Sequence, residues 1–188
     1  MAGIKSVADT FEEFIVDLRR NRPEVLMHIT SLCNSFEGWL KFEFYFWLLT
    51  HKNLNPDDED IGLEYKLEIK DSYYKTKQCD LWVRDSQDSN KFHYIELKLI
   101  FNNGNTTKML KLVSDDAWYM AKIQITEPQA PKTGNCVVLS INLTEDDWNK
   151  GLISIQEYYK LPNMELVKKQ SIDTNEKIRW AVFTKIYP

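Results

Sequence analysis

The sequence predicts a fold of the α/β class, specifically an α+β arrangement in which helices surround a mixed β-sheet. The composition supports a folded domain, because 43% of the 188 residues are hydrophobic and only six are glycine and six are proline. Hydrophobic residues recur with helical spacing before residue 51 and alternate as in strands from residue 61 onward. Strands and helices then follow one another, which favours a mixed sheet. We expect residues 1–188 to form a single domain.

Three helices are predicted in the first part of the chain. The pattern Thr10–Glu13 is a capping box and predicts the start of the first helix. Pro23 ends this helix or begins another, and a second helix is predicted over Val25–Leu32. Ser35 can cap a third helix that runs to about Thr50. Because this helix is apolar on nearly every side, we expect it to be buried rather than half exposed.

The remainder of the chain is predicted to form five strands and two helices. In order these are strands over Ile61–Ile69, Cys79–Arg84 and Phe92–Ile100, a helix over Thr106–Ile123, a strand over Cys136–Leu143, a helix over Asp146–Tyr159 and a strand over Ile178–Tyr187. Polar segments separate them: His51–Asp60, Asn102–Gly104 and a loop marked by Pro128 and Pro131.

Charge and cysteine content exclude several classes of function. The 24 basic and 28 acidic residues give a net charge of −4, so a polyanionic partner would have to be attracted by metal ions or by a local basic patch. Cys33, Cys79 and Cys136 are far apart, which argues against a zinc knuckle or a disulfide framework. No apolar run reaches the roughly 18 residues of a membrane span, and the N-terminus does not resemble a signal peptide. We therefore expect a cytoplasmic protein that does not bind membranes.

Three charged residues interrupt strands that otherwise have the pattern of buried ones. Glu96 and Lys98 lie on the same face of the third predicted strand, about 7 Å apart along it. Asp80 lies between apolar neighbours in the second predicted strand. Because burying a charge without a partner is unfavourable, we expect each of these residues to have one.

The hairpin between these two strands brings the acidic residues together. A turn centred on Asp88 gives the pairs Arg84–Phe92, Trp82–Tyr94 and Asp80–Glu96. Opposed residues of an antiparallel pair share a face with their Cβ atoms roughly 5 Å apart. Two carboxylates this close repel one another unless one is protonated or a cation lies between them. Mg²⁺ or Mn²⁺ suits such oxygen ligands, and Lys98 could orient a water or stabilise negative charge beside the ion.

Asp80, fifteen intervening residues and then Glu96-Leu97-Lys98 resemble the signature of the PD-(D/E)xK phosphodiesterase superfamily, which has the restriction-endonuclease-like fold. The predicted order of helix, three-stranded antiparallel meander, helix and strand is similar to the core of that fold. The residue before Asp80 is Cys79, where the motif has proline. The resemblance covers residues 35–143, so that 1–34 would be an N-terminal helical extension and 144–188 a C-terminal helix and strand.

The resemblance implies a metal-dependent nuclease. Asp80, Glu96 and the backbone carbonyl of Leu97 would bind Mg²⁺ or Mn²⁺, and Lys98 would act on the attacking water. Products with a 5′-phosphate and a 3′-hydroxyl would be expected, with DNA rather than RNA as the substrate. Cutting both strands of a duplex would require two sites, which a homodimer would supply.

The superfamily commonly adds a carboxylate from the helix that precedes the sheet, which would here be a further catalytic and metal-binding residue. Glu43 is favoured because, apart from Lys41, it is the only charge between Trp39 and Leu49. Glu37 is the alternative, although a carboxylate in the first turn of a helix is stabilised by the helix dipole in any case. The distinction remains open at the level of sequence.

Nucleic acid would be contacted by basic residues near the motif. Lys75, Lys77, Lys108 and Lys111 are the candidates, because they flank the strands and open the helix after them. Most surface lysines are only solvated, so these assignments depend on the location of the site.

Other interpretations of the same residues lead to other functions. Glu96 and Lys98 could form a salt bridge on a half-exposed strand, and Asp80 could be a turn residue at a strand end. The protein would then be a catalytically inactive protein of the nuclease fold with a binding or assembly role. A metal-dependent phosphatase acting on a small ester is a third hypothesis, but the chain has no glycine-rich phosphate loop.

Overall fold

The computed structural model describes residues 2–31, 37–70, 76–124, 130–157, 164–171 and 177–188. The helices in these ranges are α1 (Val7–Asn21), α2 (Pro23–Ser31), α3 (Glu37–His51), α4 (Thr106–Met120) and α5 (Glu145–Glu157), with a 3₁₀ helix at Pro56–Asp58. The strands are β1 (Ile61–Leu63), β2 (Lys66–Glu68), β3 (Thr76–Gln78), β4 (Leu81–Arg84), β5 (Lys91–Phe101), β6 (Ala130–Ile141), β7 (Glu165–Ser171) and β8 (Ile178–Ile186).

Six of these strands form one mixed sheet in the order β1-β4-β5-β6-β8-β7. The pair β5 and β6 is parallel, and α4 lies between these two strands in the chain. The other neighbours in the sheet are antiparallel, while β2 and β3 form a separate two-stranded hairpin. The predicted mixed α/β class is therefore confirmed.

Helices cover both faces of the sheet. On one face α1 and α3 bury an aromatic cluster. In this cluster the centroid of the Phe11 ring lies 5.3 Å from that of Phe44 and 5.4 Å from that of Trp180 in β8. On the other face α4 and α5 pack against the sheet. Because side chains alternate along a strand, Ile95 and Leu97 of β5 join the α3 side. Glu96 and Lys98 alternate with these residues and therefore belong to the α4 side.

The start of the first helix differs from the prediction. The helix begins at Val7, and the Ser6 side chain caps it by accepting a hydrogen bond from the Asp9 N–H at 3.3 Å. The predicted capping box at Thr10–Glu13 is wrong, since these residues lie inside α1 and Thr10 is buried. A cap pattern is a local signal, and the helix begins one turn earlier, where Ser6 caps the N–H of Asp9.

The prediction that the third helix is buried on all sides is also wrong. Phe42 and Phe46 of α3 are 49% and 59% exposed, whereas Leu40, Phe44 and Leu48 are fully buried. The helix packs with one side on the sheet. The predicted cap, Ser35, lies outside the described residues. In the described part of the chain, no helix combines the length and the apolar character that crossing a membrane requires.

Several strand boundaries also differ from the prediction. The first predicted strand, Ile61–Ile69, is divided into β1 and β2 by Glu64, whose φ of +57° breaks the extended backbone. The fourth predicted strand begins six residues earlier than expected, at Ala130, so Pro131 lies in β6 rather than in a loop. The pairing of β5 with β6 is irregular next to Pro131, which explains why a proline is tolerated there. The strands β3 and β7 were not predicted from the sequence.

Candidate functional site

The hairpin register predicted from the sequence is confirmed where β4 and β5 pair. Arg84 pairs with Phe92 and Trp82 with Tyr94, and the last pair of the ladder is Leu81 with Ile95. Asp80 lies one residue beyond this ladder, and its N–H donates to the Ile95 carbonyl at 3.1 Å. The next residue along β5 is Glu96, so Asp80 comes to the same end of the hairpin as Glu96.

The site lies where β4 ends and β5 continues. On its other side β5 remains paired with β6 as far as Phe101. On the β4 side, one Asp80 carboxylate oxygen accepts the Leu97 N–H at 2.8 Å, in the place where the next strand residue would have bonded. Because the N–H and C=O of one strand residue point to the same edge, the Leu97 carbonyl also faces this opening. The sheet therefore places the Asp80 carboxylate and the Leu97 carbonyl side by side. We call the point where β4 ends beside β5, at Asp80 and residues 96–98, the fork.

Lys98 is the centre of an ion-pair network at this fork. Its Nζ lies 2.9 Å from Glu96 Oε1, 2.9 Å from Glu37 Oε1 and 3.2 Å from Asp116 Oδ2. The Glu96 side chain is only 4% exposed and the Lys98 side chain 15%. Three carboxylates from three different elements thus hold one ammonium group in place.

Two members of this network, Asp116 and Lys77, were not predicted from the sequence to contact Glu96 or Lys98. Asp116 of α4 is buried, and its Oδ1 lies 2.6 Å from the Nζ of Lys77 in β3. Lys77, predicted to contact nucleic acid, also lies 3.5 Å from Glu96 Oε1. Asp116 follows Val113 and precedes Ala117, both of which are buried on α4. An acidic residue on the apolar face of an amphipathic helix is the signal that could have identified it.

The predicted helix carboxylate, Glu43, is not brought to the network by the structure. Its Oε2 lies 2.6 Å from the Arg22 guanidinium, and its side chain is 25% exposed. Glu37, the alternative, is the α3 carboxylate that contacts Lys98. The first turn of α3 overhangs the fork, and one turn later Lys41 reaches Asp80 Oδ1 at 3.6 Å. Glu43 follows on a different side of the helix.

The other predicted nucleic-acid contacts have different locations. Lys108 and Lys111 are exposed on α4, and Lys75 lies outside the described residues. Lys108 lines a cavity of about 500 Å³ that extends from the ion-pair network along α4. Glu37, Lys98 and Asp116 form one end of this cavity, and apolar side chains of β5 and α4, such as Leu112, form its wall. A polar end and an apolar wall are typical of small-molecule and nucleotide pockets.

Burial and the neighbouring carboxylates perturb the ionisation of Glu96. Burial, together with the negative charges of Asp80 and Asp116, raises the pKa of Glu96 to about 7 against the opposing effect of Lys98 and Lys77. For Lys98, burial alone would lower the pKa, but Glu96, Asp116 and Glu37 outweigh it and raise the pKa above its ordinary value. Lys98 is therefore protonated near neutral pH and can donate hydrogen bonds and positive charge.

The donor atoms at the fork are suited to a hard divalent cation. Glu96 Oε2 is buried and has no hydrogen-bond partner within the described ranges. Among those residues, no group of three or more His, Cys, Asp or Glu side chains is arranged to hold a metal ion. Asp80, Glu96 and the Leu97 carbonyl supply two carboxylates and one carbonyl. Mg²⁺ is commonly held by one or two carboxylates with water completing its coordination, so this donor set fits it.

The pKa of Glu96 predicts how stability depends on pH in the absence of metal. Between its ordinary value near 4.5 and about 7, the folded protein retains a proton that the unfolded chain has released. The contribution of Glu96 to stability therefore falls as pH rises through this window, by at most about 1.4 kcal/mol per pH unit. Glu96→Gln should remove this slope, as measured by urea unfolding in chelator at pH 5, 6, 7 and 8.

A matched control is Glu68→Gln, which removes the same charge from an exposed position of β2. Groups that titrate independently of Glu96 contribute equally to wild type and to Glu96→Gln, and Glu68→Gln shows the effect of removing one exposed carboxylate. An identical slope for wild type and Glu96→Gln would show that Glu96 is not perturbed by burial as described.

Comparison with known proteins gives no relative from which a function could be transferred. No family model matches the chain, and neither the curated proteins nor the solved structures include a match. The function of the chain must therefore be inferred from the fork, from its network of buried charges and from the adjoining cavity.

Proposed function

We propose that this protein is a metal-dependent nuclease that hydrolyses phosphodiester bonds in nucleic acid, with DNA as the preferred substrate. The observation that carries the proposal is the meeting of Asp80, Glu96 and Lys98 at the fork between β4 and β5. Glu96 is buried there with one oxygen atom that has no partner among the described residues. A purely structural salt bridge would not require a second carboxylate beside it.

The order of the surrounding elements supports a restriction-endonuclease-like core. After α3 come three successive antiparallel neighbours, β1, β4 and β5, with the β2–β3 hairpin inserted between the first two. Then α4 leads to β6, which lies parallel to β5. This order agrees with the helix, meander, helix and strand that the sequence motif implies.

The residues at the fork divide the proposed catalytic work. Asp80, Glu96 and the Leu97 carbonyl would hold Mg²⁺ or Mn²⁺. The bound ion would supply a more acidic water and would neutralise charge on the phosphate. Asp80 is already oriented for this role, because its other oxygen accepts the Leu97 N–H. A ligand held in place before the ion arrives loses little entropy on binding.

Lys98 acts as a fixed positive charge rather than as a base. Three carboxylates keep its ammonium group protonated and restrict its position. In hydrolysis it would donate a hydrogen bond to the attacking water or to the phosphate oxygens as their negative charge grows. Glu37 holds Lys98 from α3, and we propose that Glu37 rather than Glu43 is the helix residue that serves this site.

The cavity beside the network supports a nucleic acid rather than a small phosphate ester as substrate. The same cavity is lined by Lys98, by apolar side chains of β5 and α4, and by Lys108 in the first turn of α4. A nucleotide that flanks the cleaved phosphate could place its base against the wall and its next phosphate near Lys108. Since the chain as a whole carries a charge of −4, attraction of nucleic acid would have to come from such local groups.

A second candidate is a binding protein of the same fold without catalysis. The observation that favours it is the saturation of the carboxylates by lysines: Lys98 and Lys77 contact Glu96 and Asp116, and Lys41 approaches Asp80. Such a network is balanced without a metal ion. The two candidates differ in whether hydrolysis occurs and in whether it depends on Lys98.

The first test is hydrolysis of plasmid DNA. We expect nicking in Mg²⁺ or Mn²⁺ that stops in excess chelator, and a loss of at least 100-fold in rate for Lys98→Met with Mn²⁺ binding retained. The rate should fall because the charge that stabilises the transition state is removed. Lys150→Met is the matched control, since Lys150 is an exposed lysine of α5 whose partner is Asp146 of the same helix. Hydrolysis that survives in chelator, or that is equal in both variants, would contradict the proposal.

The second test concerns the cavity. Leu112→Trp should narrow the cavity and raise KM for an oligonucleotide at least fivefold, with a smaller change in kcat, because Leu112 lines the wall and is not one of the charged residues of the network. Ile153→Trp provides the control, since Ile153 of α5 is similarly exposed, at 53% against 49%, but lies outside the cavity lining. Equal KM values for the two variants would place the substrate elsewhere.

A further inference from the structure

We propose that Lys77 occupies a cation position between Glu96 and Asp116, so that Asp116 is a metal ligand and an incoming divalent ion must displace the Lys77 ammonium. The inference rests on the proposed metal-dependent function and extends it to a residue pair outside the sequence motif. It assigns Asp116 to the metal site and makes Lys77 an internal competitor of the metal.

The position of Lys77 is that of a bridging cation. Its Nζ lies 2.6 Å from Asp116 Oδ1 and 3.5 Å from Glu96 Oε1. Asp116 comes from α4 and Glu96 from β5, so the ammonium joins two elements that carry like charges. A group that neutralises two buried carboxylates at once occupies the place where a metal ion would bind both.

Glu96 is left incompletely satisfied by this arrangement. Both lysines contact the same oxygen, Oε1, with Lys98 at 2.9 Å and Lys77 at 3.5 Å. Oε2 has no partner in the described part of the structure, although the side chain is only 4% exposed. A buried carboxylate oxygen without a partner is unfavourable by comparison with one that is ligated. A divalent ion held between Asp116 and both carboxylate oxygens of Glu96 would give Oε2 the partner that the lysines do not supply.

Lys77 is also attached in a way that lets it leave. It belongs to β3, which pairs with β2 in a two-stranded hairpin outside the six-stranded sheet. Its flexible four-carbon stem allows the ammonium to move without a shift of the backbone. The Tyr119 ring lies 5.7 Å from Nζ and offers a cation–π contact to the displaced group. Lys98, by contrast, is part of the central strand β5 and is held by three carboxylates.

The experiment is calorimetric titration of the full chain with Mn²⁺ alone. Lys77→Met removes the competitor and should raise Mn²⁺ affinity at least fivefold. Lys66→Met is the matched control, because Lys66 is an exposed lysine of the same hairpin and its loss changes the net charge equally. Lys77→Arg retains a cation at the position and should leave the affinity at or below that of wild type.

Asp116 is tested in the same titration. Asp116→Asn should lower Mn²⁺ affinity at least tenfold, whereas Asp115→Asn, which changes the neighbouring and less buried residue of α4, should leave it unchanged. Unfolding by urea without metal checks that each variant is folded. An affinity of Lys77→Met equal to or below that of wild type would overturn the inference, as would an Asp116→Asn affinity equal to that of wild type.

The outcomes separate this inference from the proposed nuclease function. If the affinities change as expected but DNA is not hydrolysed, the cation position stands and the nuclease function fails. If DNA is hydrolysed in a Lys98-dependent manner while Lys77→Met leaves Mn²⁺ affinity unchanged, the nuclease function stands and the role of Lys77 is overturned. Absence of Mn²⁺ binding in wild type and all variants would overturn the inference.

Discussion

Burial of the Glu96 carboxylate beside the Lys98 ammonium is the interaction on which the site depends. Glu96 cannot be hydrated, so neighbouring groups must compensate its charge. The lysines around it do so only in part, because Asp80 and Asp116 add negative charge nearby and its pKa rises to about 7. Ionisation of this buried carboxylate near neutral pH is unfavourable, and a bound cation would therefore stabilise the folded protein. A divalent ion would neutralise the negative charge of Glu96, Asp80 and Asp116 that the lysines leave uncompensated.

Because β4 is shorter than β5, the edge of β5 next to Glu96 has room for side chains from other elements. If β4 extended further, backbone hydrogen bonds would close the edge of β5 at Leu97. Instead, Asp80 takes over one of these bonds through its side chain, and among the described residues the strand ladder on this side of β5 ends at Ile95. The parallel pairing of β5 with β6 keeps the strand rigid on the other side. The same break in the sheet therefore leaves the buried Leu97 carbonyl directed toward Asp80 rather than toward a paired strand, and it admits Glu37 and Lys41 from α3.

The parts of the site that depend on strand alternation and on the number of residues in the hairpin could be predicted from the sequence. Strand alternation put Glu96 and Lys98 on one face, and the length of the turn set the register confirmed up to Leu81 and Ile95. The contacts of Glu37, Glu43, Asp116 and Lys77 could not be predicted in the same way. They depend on how α3 and α4 cross the sheet and on a hairpin, β2–β3, whose second strand the sequence did not indicate. Burial of α3 was overestimated for a similar reason, since hydrophobic content alone does not say which side meets the sheet.

Binding of a divalent cation by the carboxylates at the fork is the proposal on which the others depend. Calorimetric titration of wild type and Asp80→Asn with Mn²⁺ measures this binding. Asparagine keeps an oxygen that can accept the Leu97 N–H, so the strand edge is preserved while the charge is removed. Asp88→Asn, in the turn between β4 and β5, provides a control with the same change of charge. We expect Asp80→Asn to lose at least tenfold in Mn²⁺ affinity and Asp88→Asn to bind Mn²⁺ as wild type does. Equal binding by wild type and both variants would contradict the proposal.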